Sequence, residues 1–412
     1  MHIAIVKPDY GITGGFELVL GHVEAALHKA GHTVERISVD ISQMETDRNA
    51  FGVYIPYWVY KQSFEYFRYA GFMHAFEQID VSRFDAVIPT QPPSFAVKHP
   101  RKLALFYHHQ RIFYDLSSVY VESGLGDPET HQLARYLVHK IDQPRLEGVA
   151  GFLTPSDTVR SRLAGYNRIT DNVYPFLAGP GFDAATVASA TQLTSSDPTQ
   201  RGHVLHVGRQ EFTKRHELLV HAMQYLPDVT CRMIGDGSRL PWAQYLDAAF
   251  KNGELDPDRV GPYDLWLNPG IGLPPLPPHI PNRADPPKDS NVVFHYRVSD
   301  TDLKRWYNDA LCVVSPSYEE DYGLTAIEAM AYGKPVITCL DSGGLAETVQ
   351  HEVNGLIVEP TGQAIADAID RLRTDPDMCA ELARNARLRA AEYTWERAEQ
   401  QLRCALDAVL SL

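Results

Sequence analysis

The sequence predicts an α/β protein of two Rossmann-like halves, each an open parallel sheet between helices. Three observations carry that prediction. Short apolar runs recur at 2–6, 203–207, 231–234 and 336–340, each long enough for one buried strand. Each run is followed by a turn containing glycine, the pattern of strand–helix–strand units whose strand exits bind ligands. The length of 412 residues exceeds one ordinary core and suits two domains.

Composition narrows the class. Hydrophobic content of 44% and charged content of 22% belong to a folded, water-soluble chain. The formal net charge of -14 argues against a nucleic-acid partner, which needs a basic face. It leaves room for a local basic pocket around a diphosphate. Cys231, Cys312, Cys339, Cys379 and Cys404 show no ligand spacing, and a reduced, cytoplasmic compartment is expected. The chain starts directly as a strand, without a signal peptide, and no run of about 18 apolar residues could span a membrane. Peripheral membrane contact stays open.

In the first half, residues 2–6 read as a buried strand. A loop with Gly14 and Gly15 follows. Apolar positions 16, 19, 20, 23, 26, 27 and 30 then mark a helix that stops at Gly31. Residues 32–39 return as a strand. This opening lacks G-x-G-x-x-G, so no dinucleotide cofactor is indicated. Residues 51–76 hold eleven aromatics with Lys61 and Arg68. Aromatic faces stack on sugars and cations, so the stretch reads as an acceptor pocket, a packed helical pair or a membrane-surface patch. Strands are expected at 85–89 and 103–107. The second runs into His108 and His109, and a histidine at a strand exit that points into a cleft can contact a substrate. Nothing completes a metal site around that pair. A strand at 151–155, a helix from Ser156 and a strand at 170–175 follow. The Pro/Gly-rich residues 176–181 and the Ser/Thr-rich run to Gln200 read as the connection.

The second half opens with the 203–207 strand, which exits into Gly208, Arg209 and Lys214 ahead of a helix from His216. Arginine offers a planar fork and lysine a point charge, a combination suited to a diphosphate. Residues 231–234 lead into Gly235-Asp236-Gly237. Residues 252–290 are then proline-rich and read as an insertion with little helix or sheet potential. A strand at 292–294 and a helix at 300–310 resume the pattern. Beyond residue 347, a short strand at 354–360 precedes helices at 364–373, 378–392 and 395–412.

The chemistry concentrates in 315–347, SPSYEEDYGLTAIEAMAYGKPVITCLDSGGLAE. A strand at 311–314 precedes it. Gly323 opens a helix that stops at Gly333-Lys334-Pro335, and Ser342-Gly343-Gly344 turns into another. Glu320 lies in the loop and Glu328 on the helix. Between them the amides of Tyr322, Gly323, Leu324 and Thr325 start the helix and, with its dipole, form an anion site suited to phosphate. Carboxylates on either side can accept hydrogen bonds from sugar hydroxyls. Were most of this segment helical, eight steps would place the two backbones roughly 12 Å apart. Hydrolase carboxyl pairs stand about 5–9.5 Å apart. Two hydroxyl grips therefore fit better than an acid–base pair.

This E-x7-E, set in PS-x-x-E-x-x-G-L-x-x-x-E-A-M-A-x-G-x-P-V-I, resembles the donor-site signature of the retaining glycosyltransferases of family 4 (glycosyl transferases group 1), whose fold is GT-B. Gly14-Gly15-Phe16-Glu17 resembles the family's glycine loop. His109 matches its histidine, two residues after an aromatic, with His108 as the fallback. Arg209 and Lys214 match G-R-x-x-x-x-K, and Arg215 stands where the family usually has glycine. Gly235-Asp236-Gly237 resembles its segment near the base.

The resemblance implies two Rossmann-like domains facing across a cleft. Residues 1–178 would form the acceptor side, 179–390 the nucleotide-sugar donor side, and 391–412 a helix packing back on the first domain. The implied reaction moves a sugar, with retained configuration, from a UDP- or GDP-sugar to a hydroxyl of a glycan, lipid-linked or small-molecule acceptor. No cofactor or metal is implied. Arg209, Lys214 and the helix start would steady the diphosphate, Glu320 would grip sugar hydroxyls, and Glu328 the ribose diol. A non-catalytic nucleotide-sugar-binding subunit is the alternative, and a dehydrogenase is weaker still. Oligomeric state stays open.

Overall fold

The computed structural model describes residues 1–9, 11, 14–41, 49–50, 53–182, 202–267, 287 and 289–411. Expectations for the loop residues Ile12 and Thr13, for Phe51, for most of the connection before Gln200 and for the double prolines of the insertion lie outside these residues. The chain divides into two compact units, Met1–Ala178 with Thr394–Leu412, and Gly179–Tyr393.

In unit 1, β1 (His2–Asp9) pairs in parallel with β2 (Thr33–Asp40) and β5 (Ala86–Pro89). Ile3 to Val6 are buried on both faces, as a central parallel strand requires. A parallel bridge from Val87 to Lys102 continues the sheet into β6 (Leu103–Leu105), β7 (Gly151–Thr154) and β8 (Val173–Pro175). The short segments β3 (Asn49–Ala50) and β4 (Val53–Tyr54) form a separate hairpin. The helix Gly15–Lys29 buries Val19, Leu20, Val23 and Leu27, one stripe at helical spacing. A helix that sequence periodicity did not reveal, Pro128–Glu147, starts where the Asp127 carboxylate accepts from the Thr130 amide. It packs the polar residues His131 and Asp142 inward, which masks its apolar stripe.

The last helix, Trp395–Leu410, belongs to unit 1. Trp395 stacks on His22 at 3.7 Å, Lys29 pairs with Glu399 at 2.7 Å, and Gln401 accepts from the Leu177 amide at 2.8 Å. Val409 lies where a side chain at Gly151 would fall.

The aromatic stretch divides. The helix Phe64–Glu77 buries Tyr69, Phe72, Met73 and Phe76 in the unit 1 core, while Tyr54, Tyr57, Trp58 and Phe64 stay exposed.

Unit 2 is one six-stranded parallel sheet in the order β11 (Val292–His295), β10 (Cys231–Ile234), β9 (Val204–Val207), β12 (Cys312–Ser315), β13 (Val336–Cys339), β14 (Gly355–Val358). The chain winds outward in both directions from the boundary between β9 and β12. In doubly wound sheets that reversal opens a crevice at the strands' carboxyl ends. Cys231, Cys312 and Cys339 are buried free thiols packed as small apolar groups in this core.

Within the insertion, the described residues 252–267 depart from their expected lack of structure. The helix Leu240–Lys251 leads into a turn at Pro257–Arg259 and a one-turn helix, Pro262–Trp266. Pro262 sits at the helix start and the Asp264 carboxylate accepts from the Gly261 amide at 3.0 Å, so proline here initiates a helix. Leu255 and Leu265 are core residues of unit 2.

Candidate functional site

The exits of β9 and β12 meet at the switch point of unit 2. After Val207 the chain leaves through Gly208 and Arg209 and makes a tight turn, Phe212–Lys214. Arg215 then takes a left-handed conformation, φ +47°, and starts the helix His216–Ala222. Gly235 on the neighbouring exit permits this path. A side chain there would lie 1.9 Å from the Gly208 carbonyl oxygen, and its φ of +136° favours glycine.

After Ser315 the β12 exit is hydrogen-bonded to the turn that follows β13. The amides of Glu319 and Glu320 donate to Asp341 and Ser342, at 2.9 and 3.1 Å, and the Gly344 amide donates to Glu320 at 2.7 Å. The Tyr318 amide donates to the Thr213 carbonyl at 2.7 Å, which joins this loop to the Lys214 turn. The result brings the Lys214 ammonium onto the Glu320 carboxylate as an ion pair, both half-buried, across 106 residues of sequence. Arg209 is exposed, with no ion pair among the described residues. Three residues beyond Glu320, Gly323 precedes the helix Leu324–Ala331 in a left-handed conformation, and no side chain caps that start. At most about 3.6 Å per residue separates them along the chain. The Ala326 amide donates to the Gly323 carbonyl at 2.9 Å, and among the described residues the Leu324 and Thr325 amides show no partner, so unsatisfied first-turn donors lie a few residues along the chain from the Lys214–Glu320 pair. Tyr322 itself is buried, edge-on to Tyr393.

Only the latter part of the span from Glu320 to Glu328 is helical, so the helical estimate of their separation does not apply. Their surroundings differ. Glu328 accepts from the Tyr307 hydroxyl at 3.2 Å, and Tyr307 stacks on Tyr332 with Phe182 against both. Burial pushes the Glu328 carboxyl up to about 7, against the Tyr307 hydroxyl and Gly181 backbone hydrogen bonds that favour the anion.

In unit 1, Gly14 and Gly15 are exposed at an uncapped start of the helix Gly15–Lys29, and Glu17 in its first turn pairs with Lys7 at 2.6 Å. His109 requires a correction. It does not stand open at a strand exit but is 1% exposed. The turn Arg111–Phe113 folds Tyr114 back over the imidazole, ring centroids 4.1 Å apart, with Phe106 and Tyr166 edge-on. Its Nε2 lies 2.7 Å from Asn167 Oδ1, an acceptor only, so Nε2 carries the proton. Burial holds its pKa at about 3 and the ring neutral. Beneath it Tyr69 and Tyr114 donate to Asp142, at 2.8 and 2.7 Å, and burial raises that carboxyl to about 7. The half-buried histidine of the pair is His108, whose Nδ1 lies 2.7 Å from the His109 carbonyl.

Sequence reasoning missed Asp341, Trp266 and Tyr307. It marks Arg215 as an arginine in place of a glycine directly after Lys214 and as a candidate to share the phosphate role, but the guanidinium is taken up by Asp341 and by the Pro316 and Ser317 carbonyls. For Asp341 there was no signal, since its contact with Arg215 spans 126 residues. Among the described residues, no three His, Cys, Asp or Glu side chains gather as a metal site, and no helix is long and apolar enough to cross a membrane.

Residues 288–389 match the family model of glycosyl transferases group 1. An uncharacterised glycosyltransferase of Methanocaldococcus jannaschii is 40% identical over 107 residues, 26% of this chain and 27% of its own. A D-inositol 3-phosphate glycosyltransferase of Frankia alni is 42% identical over 195 residues, 47% of this chain and 42% of its own. The matches thus span less than half the length of these relatives.

Among solved structures, a sucrose-phosphate synthase from Thermosynechococcus elongatus superposes with a TM-score of 0.67 at 23% identity, covering 98% of this chain and 97% of that one. HepE of Anabaena, solved with UDP and glucose, superposes with a TM-score of 0.64 at 17% identity over the full length of both. At those identities the likeness is one of fold, and the fold is GT-B.

Proposed function

We propose that this chain, which carries a glycosyl transferases group 1 segment at residues 288–389, is a retaining hexosyltransferase that uses a nucleoside diphosphate sugar. The observation that carries the reading is the meeting of Lys214 and Glu320 at the switch point, next to an uncapped helix start. Cation, hydroxyl acceptor and free amides are what a sugar diphosphate requires.

Lys214, Arg209 and the amides of Gly323, Leu324 and Thr325 bind the diphosphate and stabilise the charge it gains as the glycosidic bond breaks. Tyr322 contributes its backbone amide. Glu320 accepts from the sugar hydroxyls and Glu328 from the ribose diol, with Gly235 shaping the floor near the base. The acceptor oxygen attacks the face from which the nucleotide leaves, and a donor phosphate oxygen takes its proton. Retention of configuration follows. Within unit 1, Gly14 and Gly15 allow an acceptor close approach to the backbone, and His108 takes the histidine role in place of the buried His109. Incubation with labelled UDP-glucose and GDP-mannose tests this. Sugar transfer with release of free nucleoside diphosphate is the expected result.

The burial of His109 favours a second reading, a subunit that binds nucleotide sugar without turning it over. Affinity without release of nucleoside diphosphate, across donors and acceptors, would establish it. HepE was solved with UDP and glucose, so UDP-glucose comes first in the panel. A phosphorylated polyol or sugar is the first acceptor, after the names of the similar chains.

A further inference from the structure

Arg215 is an unusual residue for its position. Its φ of +47° is disfavoured for a side chain with a Cβ, and its guanidinium is 2% exposed. A residue held so is over-determined by its surroundings. Nε donates to the Pro316 carbonyl at 2.8 Å, Nη2 to the Ser317 carbonyl at 3.3 Å, and Nη1 to Asp341 Oδ2 at 2.8 Å, with Nη2 on the other carboxylate oxygen. The indole of Trp266 lies over the guanidinium at 5.0 Å and the Tyr318 ring at 5.4 Å. Trp266 is itself fixed, its Nε1 donating to the Phe212 carbonyl at 2.6 Å.

Three chain segments converge on this one side chain. Its own backbone is the residue after Lys214. Its guanidinium holds 316 and 317, three residues before Glu320. Its counter-ion Asp341 begins the turn to which the Glu319 and Glu320 amides are bonded. Ser342 Oγ donates to the Ser317 carbonyl at 2.7 Å and tightens the same junction. The guanidinium touches neither Lys214 nor Glu320. It fixes the two loops that present them.

We propose that Arg215 is a positioning residue for sugar transfer: by bracing the 316–320 loop and Asp341 against the 212–215 turn, it sets the separation of Lys214 and Glu320 at which diphosphate and sugar are held together. The inference rests on the reading under Proposed function. A glycine would accept the backbone conformation without strain, so the arginine is there for its side chain. A lysine would keep the charge and lose the fork that reaches three acceptors at once. The stem of the insertion, through Trp266, shields the brace from water, which strengthens its ion pair.

The test compares the full-length protein with Arg215→Gly, Arg215→Lys and Asp341→Asn, using the donor that the wild type turns over. Transfer kcat, donor KM and melting temperature are read for each. Misplacement of two groups that act together lowers kcat more than binding. We expect kcat to fall at least tenfold in Arg215→Gly and Arg215→Lys with donor KM within threefold of wild type. The double variant Arg215→Gly with Asp341→Asn should be no slower than Arg215→Gly alone. A lowered melting temperature with kcat within threefold of wild type would mean a purely structural arginine and overturn the proposal. Should Arg215→Gly fail to fold, Arg215→Lys and Asp341→Asn give the same decision. A wild type that neither binds nor turns over any donor removes the functional reading and the brace with it. An active wild type with near-normal variants removes the brace alone.

Discussion

On the proposed reading, in which Glu328 grips the ribose diol, Glu328 is the residue at which the site meets pH. Its carboxyl is pushed to about 7 by burial, so it is neutral below that pH and charged above it. A ribose diol donates to a carboxylate and loses an acceptor when the group is protonated. Donor affinity should therefore be weaker at pH 6 than at pH 8, by up to about tenfold for each unit below 7. Calorimetric titration of donor at the two pH values checks this, and Glu328→Gln should flatten the difference. Glu320 and Arg209 make a cleaner pair of tests. Removing either should lower turnover by about 10²–10³, Arg209 because it stabilises developing charge and Glu320 because it aligns the sugar for attack. Arg209 is exposed, so Arg209→Ala should shift stability by no more than about 0.5 kcal/mol. Near-normal turnover in both would remove them from the site. The corrected His109 belongs to a different balance. Its folded pKa, about 3, lies below its unfolded value, so its contribution to stability is lost as pH falls from about 6.5 towards 3. Asp142 runs the other way. Its carboxyl is raised to about 7, and its contribution is lost as pH rises from about 4 towards 7. The two slopes oppose each other across mildly acid pH. Asp142→Asn should unmask the histidine slope, and urea melts at pH 4, 5 and 6 should show the variant's stability rising with pH more steeply than wild type.

At the scale of elements, three consecutive strand exits do the positioning. The β10 exit must press against the β9 exit to set Arg209 and Lys214, and Gly235 is the contact point. Gly235→Ala puts a methyl group within 1.9 Å of the Gly208 oxygen and strains its own backbone. A cost of about 1–3 kcal/mol is expected from the clash. Differential scanning fluorimetry should show a lower melting point and a smaller rise with added nucleoside diphosphate. The helix Leu324–Ala331 has only eight residues, which is marginal alone, and its start is set by the turn to which Glu320 is bonded. Proline-rich sequence next to the site proved to contain a helix because Pro262 stands at a first-turn position, where its missing N–H costs nothing.

On the scale of the whole molecule, each unit has its own core and its own parallel sheet. The proposed donor residues Arg209, Lys214, Glu320, Gly323 and Glu328 all lie in Gly179–Tyr393. Nucleoside diphosphate should then stabilise that unit in preference to the other. Saturation at a hundred times Kd adds about 2.7 kcal/mol. Scanning calorimetry with UDP or GDP should move the transition of unit 2 upward and leave that of unit 1 in place. A ligand that shifted only unit 1 would contradict the donor assignment.

The amino-acid sequence by itself did not reveal the short pair Asn49–Ala50 and Val53–Tyr54, but it determined the strands of the parallel sheets, most of the helices, the signature around Glu320 and Glu328 and the basic pair at Arg209 and Lys214. These are written in neighbouring residues, as apolar runs, caps and glycine turns, and local sterics suffice to read them. The helix Pro128–Glu147 escaped because inward-facing polar residues break its apolar stripe. Tertiary structure alone decided that His109 is enclosed by the rings of unit 1, that Arg215 reaches Asp341, and that Lys214 rests on Glu320. Each of those outcomes depends on contacts across 58 to 126 residues of chain. Sheet order brings those residues together, and no local pattern encodes it.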